Sequence, residues 1–267
     1  MTAQAPATMR SGAGLVLRVY ASEAKYEFLK LWRQPAYVIP TLAFPTVFYL
    51  MFGILLNGGQ RIGGVGVATY MLATYGTFAV MAASLFGFAI GVATERGYGW
   101  LQVKRASPMP PFAYLAAKTL MSMLFGAIVL AVLAGLGAAL GGVRMPVATE
   151  LALFGVLVAG AIPFCGLGLV LGCVASPNAS PAIANLVCLP MSFCSGLWIP
   201  LPMLPSAVQH AARFLPAYHL GQLALGVAGA PTSGTRAEHG LALAGFSVVF
   251  LALALWRFRR DDLAIYG

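Results

Sequence analysis

Residues 68–93, ATYMLATYGTFAVMAASLFGFAIGVA, carry no formal charge and pass directly into residues 94–111, TERGYGWLQVKRASPMPP. The first stretch is long enough to cross a bilayer core, which takes roughly 20 apolar residues as a helix. The second holds one acid, three bases and three prolines. A membrane span that delivers its chain into a charged knot is the pattern from which the rest of the sequence is read.

Composition agrees with a lipid-embedded chain. The 267 residues are 60% hydrophobic and only 9% charged, against about 25% charged residues in a soluble globular domain. The net charge of +9 does not indicate nucleic acid, because the bases gather at the ends of apolar runs, as the positive-inside rule expects, and not on exposed basic faces. The partner that composition implies is membrane lipid. The first 35 residues contain five bases and no apolar core long enough for a cleavable signal peptide.

Six segments read as spans: 36–56, 68–93, 112–141, 147–175, 181–199 and 240–256. Their apolar residues are continuous and do not alternate, so helices and not barrel strands are expected. With the N-terminus inside, the inner side receives twelve Lys and Arg, including Arg96, Lys104, Arg105 and Lys118. The outer side keeps four: Arg61, Arg144, Arg213 and Arg236. That asymmetry predicts two cytoplasmic termini and an even number of spans.

Two segments differ from simple spans. Before Pro35, a helix would gather Leu17, Tyr20, Phe28, Leu31 and Trp32 on one face and Arg18, Glu23, Lys25, Glu27, Lys30 and Arg33 on the other. That is the pattern of an amphipathic helix lying on the cytoplasmic leaflet. Residues 200–228 are apolar but interrupted by Pro200, Pro202, Pro205 and Pro216. Proline removes a ladder hydrogen bond, so two short helices dipping into the outer leaflet and returning are expected. The fold class is therefore an all-α membrane protein: a tail with interfacial helix at 1–35, and a six-helix permease domain at 36–267. That domain carries the charged loop 94–111 and the outer re-entrant segment 200–228.

No soluble-enzyme constellation is visible. There is no HExxH helix, no GxSxG elbow and no phosphate loop; Ala117-Lys118-Thr119 lacks the preceding glycines. Cys165, Cys173, Cys188 and Cys194 lie in apolar stretches without metal-ligand spacing, so no metal site is expected. His210, His219 and His239 map to the outer loop and read as surface or interfacial histidines, not as catalytic or metal-binding groups. Ser195, next to Gly196, reads as a packing or kink residue. Four glycine pairs have GxxxG spacing, including Gly168/Gly172, but chance placement of 31 glycines gives roughly three or four, so the motif carries no weight.

The middles of the spans hold no ionisable group, whereas a gradient-coupled carrier usually needs one at midplane. Glu95, Lys118 and Glu150 sit near span ends, within snorkelling distance of water. The pathway should suit an apolar or amphipathic molecule, with energy supplied from elsewhere. Within the loop, Gly97 and Gly99 allow a tight exit from the span and Pro108 stops a short helix. Trp100 and Leu101 offer apolar anchors.

Four features together resemble the type-2 permeases of ATP-binding-cassette exporters (the ABC-2 family): Glu95-Arg96-Gly97 with Leu101 and Ser107-Pro108, the basic N-terminal helix, six spans, and GLWIPLPMLP followed by LPAYHL. The resemblance covers nearly the whole chain. It departs where the family often has a glutamate after the loop's glycines, and this chain has Trp100-Leu101-Gln102. The resemblance implies a dimer, homomeric or with a sister permease, and two copies of a cytosolic ATPase. ATP and magnesium would bind that ATPase; this chain would bind no cofactor. Docking would fall on the coupling helix: Glu95, Arg96, Gly97, Tyr98, Gly99, Trp100, Leu101, Lys104, Arg105, Ser107 and Pro108. The implied location is a bacterial inner membrane, and the implied cargo a drug, antibiotic, lipid or lipid-linked glycan. The alternative is a stand-alone carrier or channel.

Overall fold

The computed structural model describes residues 13–57, 59–106 and 113–266. Its centre is α3 (Val67–Gly97), 31 residues long, with no interior proline and apolar side chains on every side. A helix apolar all round has no face to give to water and is buried. Around α3 pack α5 (Ala113–Ala139), α7 (Ile162–Val174), α8 (Ser180–Cys194) and α10 (Pro216–Val227). The apolar window of α3 is 78% buried, against 17% for the one at Tyr37–Leu55 and 11% for the one at Arg236–Arg257. Those two elements therefore form the outer flanks of the bundle.

Among the described residues, five helical stretches are long and apolar enough to cross a membrane: Tyr37–Leu55, Val67–Gly97, Ala113–Ala139, Val147–Val174 and Arg236–Arg257. The expected span at 181–199 is instead the 15-residue α8, about 22 Å long, short of a core of about 30 Å. It stops because Gly196 turns the chain at φ +74°, a backbone region that favours glycine. The expected span at 147–175 is two helices, α6 (Val147–Ala159) and α7, parted at Gly160-Ala161. Pro163 has no N–H for the carbonyl four residues back, and Leu220 of α10 fills the space where a Gly160 Cβ would stand, 2.2 Å from its Cδ1.

The first span begins as α2 (Pro35–Phe48), with Pro40 and Pro45 inside it, and continues as a π-helix over Tyr49–Leu55. A two-residue hairpin, β1 (Arg61–Ile62) and β2 (Val65–Gly66), precedes α3; Gly63 and Gly64, both at positive φ, make its turn. This small sheet is absent from the all-α expectation. The prolines of 200–228 act as expected on the local chain. Pro205 caps α9 (Ser206–Ala212) and Pro216 opens α10, while Pro200 and Pro202 shape a 3-10 turn at Leu201–Met203. Yet α10 is no loose surface piece, because its face of Ala217, Leu220, Ala224 and Leu225 is buried. The last helix, α11 (Arg236–Tyr266), starts with a reciprocal cap. The Thr235 N–H donates to Glu238 Oε2 (3.0 Å) and the Glu238 N–H to Thr235 Oγ1 (3.2 Å).

Candidate functional site: a charged joint beside an apolar groove

The end of the bundle formed by the last turn of α3 holds its densest polar group. Glu95 is 3% exposed. Its Oε1 lies 3.2 Å from Lys118 Nζ on α5 and pairs with Lys30 of α1 (Ala13–Trp32). Its Oε2 accepts a hydrogen bond from the Tyr114 hydroxyl at 2.5 Å. Glu27, one turn before Lys30 on α1, is equally buried and reaches Lys118 Nζ at 3.2 Å and Lys30 Nζ at 3.0 Å. Two carboxylates and two ammoniums balance, so no charge is left bare in a place where an unpaired one costs several kcal/mol. Gly91 makes the arrangement possible, since a Cβ there would lie 3.0 Å from Lys118 Nζ. Burial pulls the Lys30 pKa down, but the Glu95 and Glu27 carboxylates together outweigh it and hold it above the ordinary lysine value.

The cluster therefore joins α1, α3 and α5 by charge. A second tie runs to α7, where Arg96 Nη2 donates to the Ala175 carbonyl at 2.8 Å. A Cβ on Gly97 would stand 2.3 Å from Pro177 Cγ, so the turn at 176–180 sits directly against the α3 exit. Glu95 thus faces inward, Arg96 is half-buried and tied to α7, and with the exposed Gly97 they form the closing turn of α3, not part of a free loop.

Beyond them Gly99, at φ +75°, reverses the chain into α4 (Trp100–Ala106). Here the structure divides the residues that the sequence grouped as one docking surface. Tyr98, Trp100 and Val103 are 69%, 57% and 72% exposed, while Leu101 is 6% exposed and belongs to the core. Leu101 is accordingly an anchor of α4 onto its own bundle, and Trp100 with Tyr98 presents the outward apolar surface. Ser107 and Pro108 lie outside the described residues, as do the side chains of Lys104, Arg105 and Leu17.

The expected amphipathic helix is α1, with its faces used differently. Phe28 and Trp32 pack on Phe125 of α5, with ring centroids 5.6 Å and 6.3 Å away. Leu31 is buried, Tyr20 is half-buried, and Glu27 and Lys30 of the supposed water-facing side turn into the charged cluster. Periodicity saw the stripe but had no means of knowing that buried charges of α3 and α5 stood opposite. The one available signal was Glu95 and Lys118, two opposite charges each within a turn or so of an apolar run.

A cavity of about 1060 Å³ opens beside this joint, between α2, α3 and α8, with the end of α1 and with Tyr98 and Trp100 at its charged end. At one end it is bounded by Lys30, Arg33 and Glu95, and at the other by Phe44, Phe78 and Trp198. The rings at that second end touch, with Phe78 and Trp198 centroids 5.5 Å apart and Phe44 and Trp198 5.9 Å apart. Trp198 Nε1 is buried without a hydrogen-bond partner. Pro35, Phe44 and Leu189 are exposed on its flank, so the cavity is a groove with a polar end and an aromatic end. Pro200, Pro202, Pro205 and Pro216 do not line it.

Among the described residues no group of three or more His, Cys, Asp or Glu could hold a metal ion. Cys165, Cys173 and Cys188 are buried. His210 is exposed and His219 half-buried, whereas His239 is 4% exposed and bonded to His219.

A family model described as "ABC-2 type transporter" matches residues 20–228. The chain is also 24% identical over 249 residues to "Putative transport permease YvfS" of Bacillus subtilis (strain 168), an alignment covering 92% of this chain and 99% of that protein.

Proposed function

The chain belongs to the ABC-2 type transporter family, and on that premise we propose that it is the membrane-spanning subunit of an exporter driven by a separate cytosolic ATPase. The observation that carries the reading is the charged joint. A push on α4 reaches α3 through one turn of backbone. From there it passes to α1, α5 and α7 through the Glu95, Glu27 and Lys118 cluster and the Arg96–Ala175 bond. The groove lies between α2, α3 and α8, so the helix that receives the push is also one of its walls.

In this reading Tyr98, Trp100 and Val103 form the surface that seats in the ATPase, and α1 flanks the same joint on the cytoplasmic leaflet. ATP and magnesium belong to the ATPase. Six crossings, with the short α8 as the fifth, keep both termini in the cytoplasm and put α9 and α10 at the outer face. The groove, polar at one end and aromatic at the other, suits an amphipathic cargo such as a drug, an antibiotic or a lipid-linked molecule. Two copies of the bundle, each served by one ATPase, would together enclose it. The membrane is the bacterial inner membrane.

Replacing both Tyr98 and Trp100 by Asp tests this without disturbing the core. Burying carboxylates in an apolar contact, after removing two large aromatics, should lower ATPase co-purification from membranes by at least about tenfold. The permease should remain inserted and monodisperse. Full retention of the ATPase by that variant, or cargo movement by the purified chain alone down an ion gradient, overturns the reading.

A further inference from the structure

The rings of His219 on α10 and His239 on α11 meet with Nδ1 to Nδ1 at 2.9 Å. Each ring's other nitrogen is already engaged: His219 Nε2 lies 2.9 Å from the Arg213 carbonyl, and His239 Nε2 lies 2.6 Å from the Ser233 carbonyl. A carbonyl oxygen only accepts, so both Nε2 atoms must carry hydrogen, and the Nδ1–Nδ1 contact needs one more. Three contacts require three ring hydrogens, and two neutral imidazoles supply two. Every neutral combination of tautomers leaves at least one contact as two facing lone pairs. One added proton completes all three. A second sets two Nδ1–H groups against each other.

We propose that His219 and His239 form a proton-binding site that pins α10 to α11 when the pair holds one proton more than two neutral rings.

The surroundings suit a single shared charge. The Tyr218 ring stands edge-on to both imidazoles, with centroids 5.2 Å and 5.7 Å away, and Phe246 lies 6.0 Å from His219. Glu238, one residue before His239, is held by the Thr235 cap, and Arg236 bonds the Gly226 carbonyl. The exposed His210 bonds the Ser206 carbonyl in its own helix. On the other neighbours of α10, Tyr70 and Tyr75 of α3 and Glu150 of α6 make no bond to either ring, and α8 carries no charged residue. Burial, opposed by the Arg213 carbonyl and reinforced by charge on His239, lowers the His219 pKa from its ordinary value. That is the direction expected for the second proton, which the pair resists. Interacting sites of this kind titrate as a unit in two steps. The pinning is complete between the steps, lost as pH rises past the first and lost again as pH falls past the second. The pair's position on the outer face rests on the topology proposed above; its proton count does not.

The sequence contains three histidines, so ring 15N spectra of the full chain, labelled at histidine and held in lipid nanodiscs, read each one. The pair should titrate in two steps more than about one pH unit apart. The variants His219→Gln and His239→Gln each keep a nitrogen donor for the carbonyl, so the fold should survive. In each, the remaining histidine should revert to one step, and the wild-type maximum in thermal stability between the two steps should disappear. Simultaneous single-step titration of both residues in the wild type overturns the proposal. So does a pair that stays neutral throughout about pH 5 to 8, or displacement of its ring protons by equimolar Zn(II), which would make it a metal site. Because the spectra are read on either membrane face, they stand or fall separately from the transport reading.

Discussion

Lys118→Met should destabilise the bundle by about 3–5 kcal/mol, because it removes the buried ammonium that both the Glu27 and the Glu95 carboxylates reach. Methionine fills nearly the same volume, so the loss would report charge and not packing. The companion Glu27→Gln/Lys118→Met removes one charge of each sign and should recover most of the loss, since a neutral pair of similar shape can replace a buried ion pair at little cost. Reversible unfolding in mixed detergent measures both. If the single and double variants are equally unstable, the cluster is held by shape and the electrostatic account fails. The same pair probes coupling: with the Lys118 tie from α5 to α1 and α3 cut, the single variant should still bind the ATPase proposed above but waste its ATP hydrolysis.

The second large effect is steric. Along α7, a Cβ on Gly168 would lie 2.7 Å from the Leu85 carbonyl oxygen and 2.8 Å from Phe88 Cβ, and one on Gly172 2.8 Å from Val92 Cβ. Those obstacles include the α3 backbone, which cannot swing aside. Gly168→Ala or Gly172→Ala alone should cost about 1–3 kcal/mol through overpacking. The double substitution should push the two helices apart and lose most folded protein from membranes. Gly135→Ala on α5 is the control: nothing lies within 4 Å of its Cβ position, and it should be neutral or stabilising by up to about 1 kcal/mol. Equal behaviour of Gly168→Ala and Gly135→Ala in the unfolding assay would refute the close-packing account.

Gly168 and Gly172 also show where sequence counting stops. Four GxxxG pairs among 31 glycines are what chance supplies, so the spacing by itself carries no signal. Contact geometry picks this pair out and assigns it to packing of α7 on α3 within the chain. The charged loop offers a similar lesson. Glu95, Arg96, Trp100 and Leu101 are consecutive or nearly so, and nothing in their order separates inward from outward. Position at the closing turn of α3, followed by the reversal at Gly99, turns the first two and Leu101 inward and leaves Trp100 exposed.

Local chemistry along the chain determined a helical, lipid-dwelling molecule, the punctuation of 200–228 by its prolines, and the amphipathic helix before Pro35. These follow from transfer free energy and backbone sterics, which act within a few turns and are written in order along the chain. Tertiary structure alone decided that Glu27, Lys30, Glu95 and Lys118 meet, and that two histidines twenty residues apart share one contact. Charge pairing and close packing depend on distances between helices. Residues 68 positions apart in sequence, such as Glu27 and Glu95, acquire such a distance only when the bundle closes.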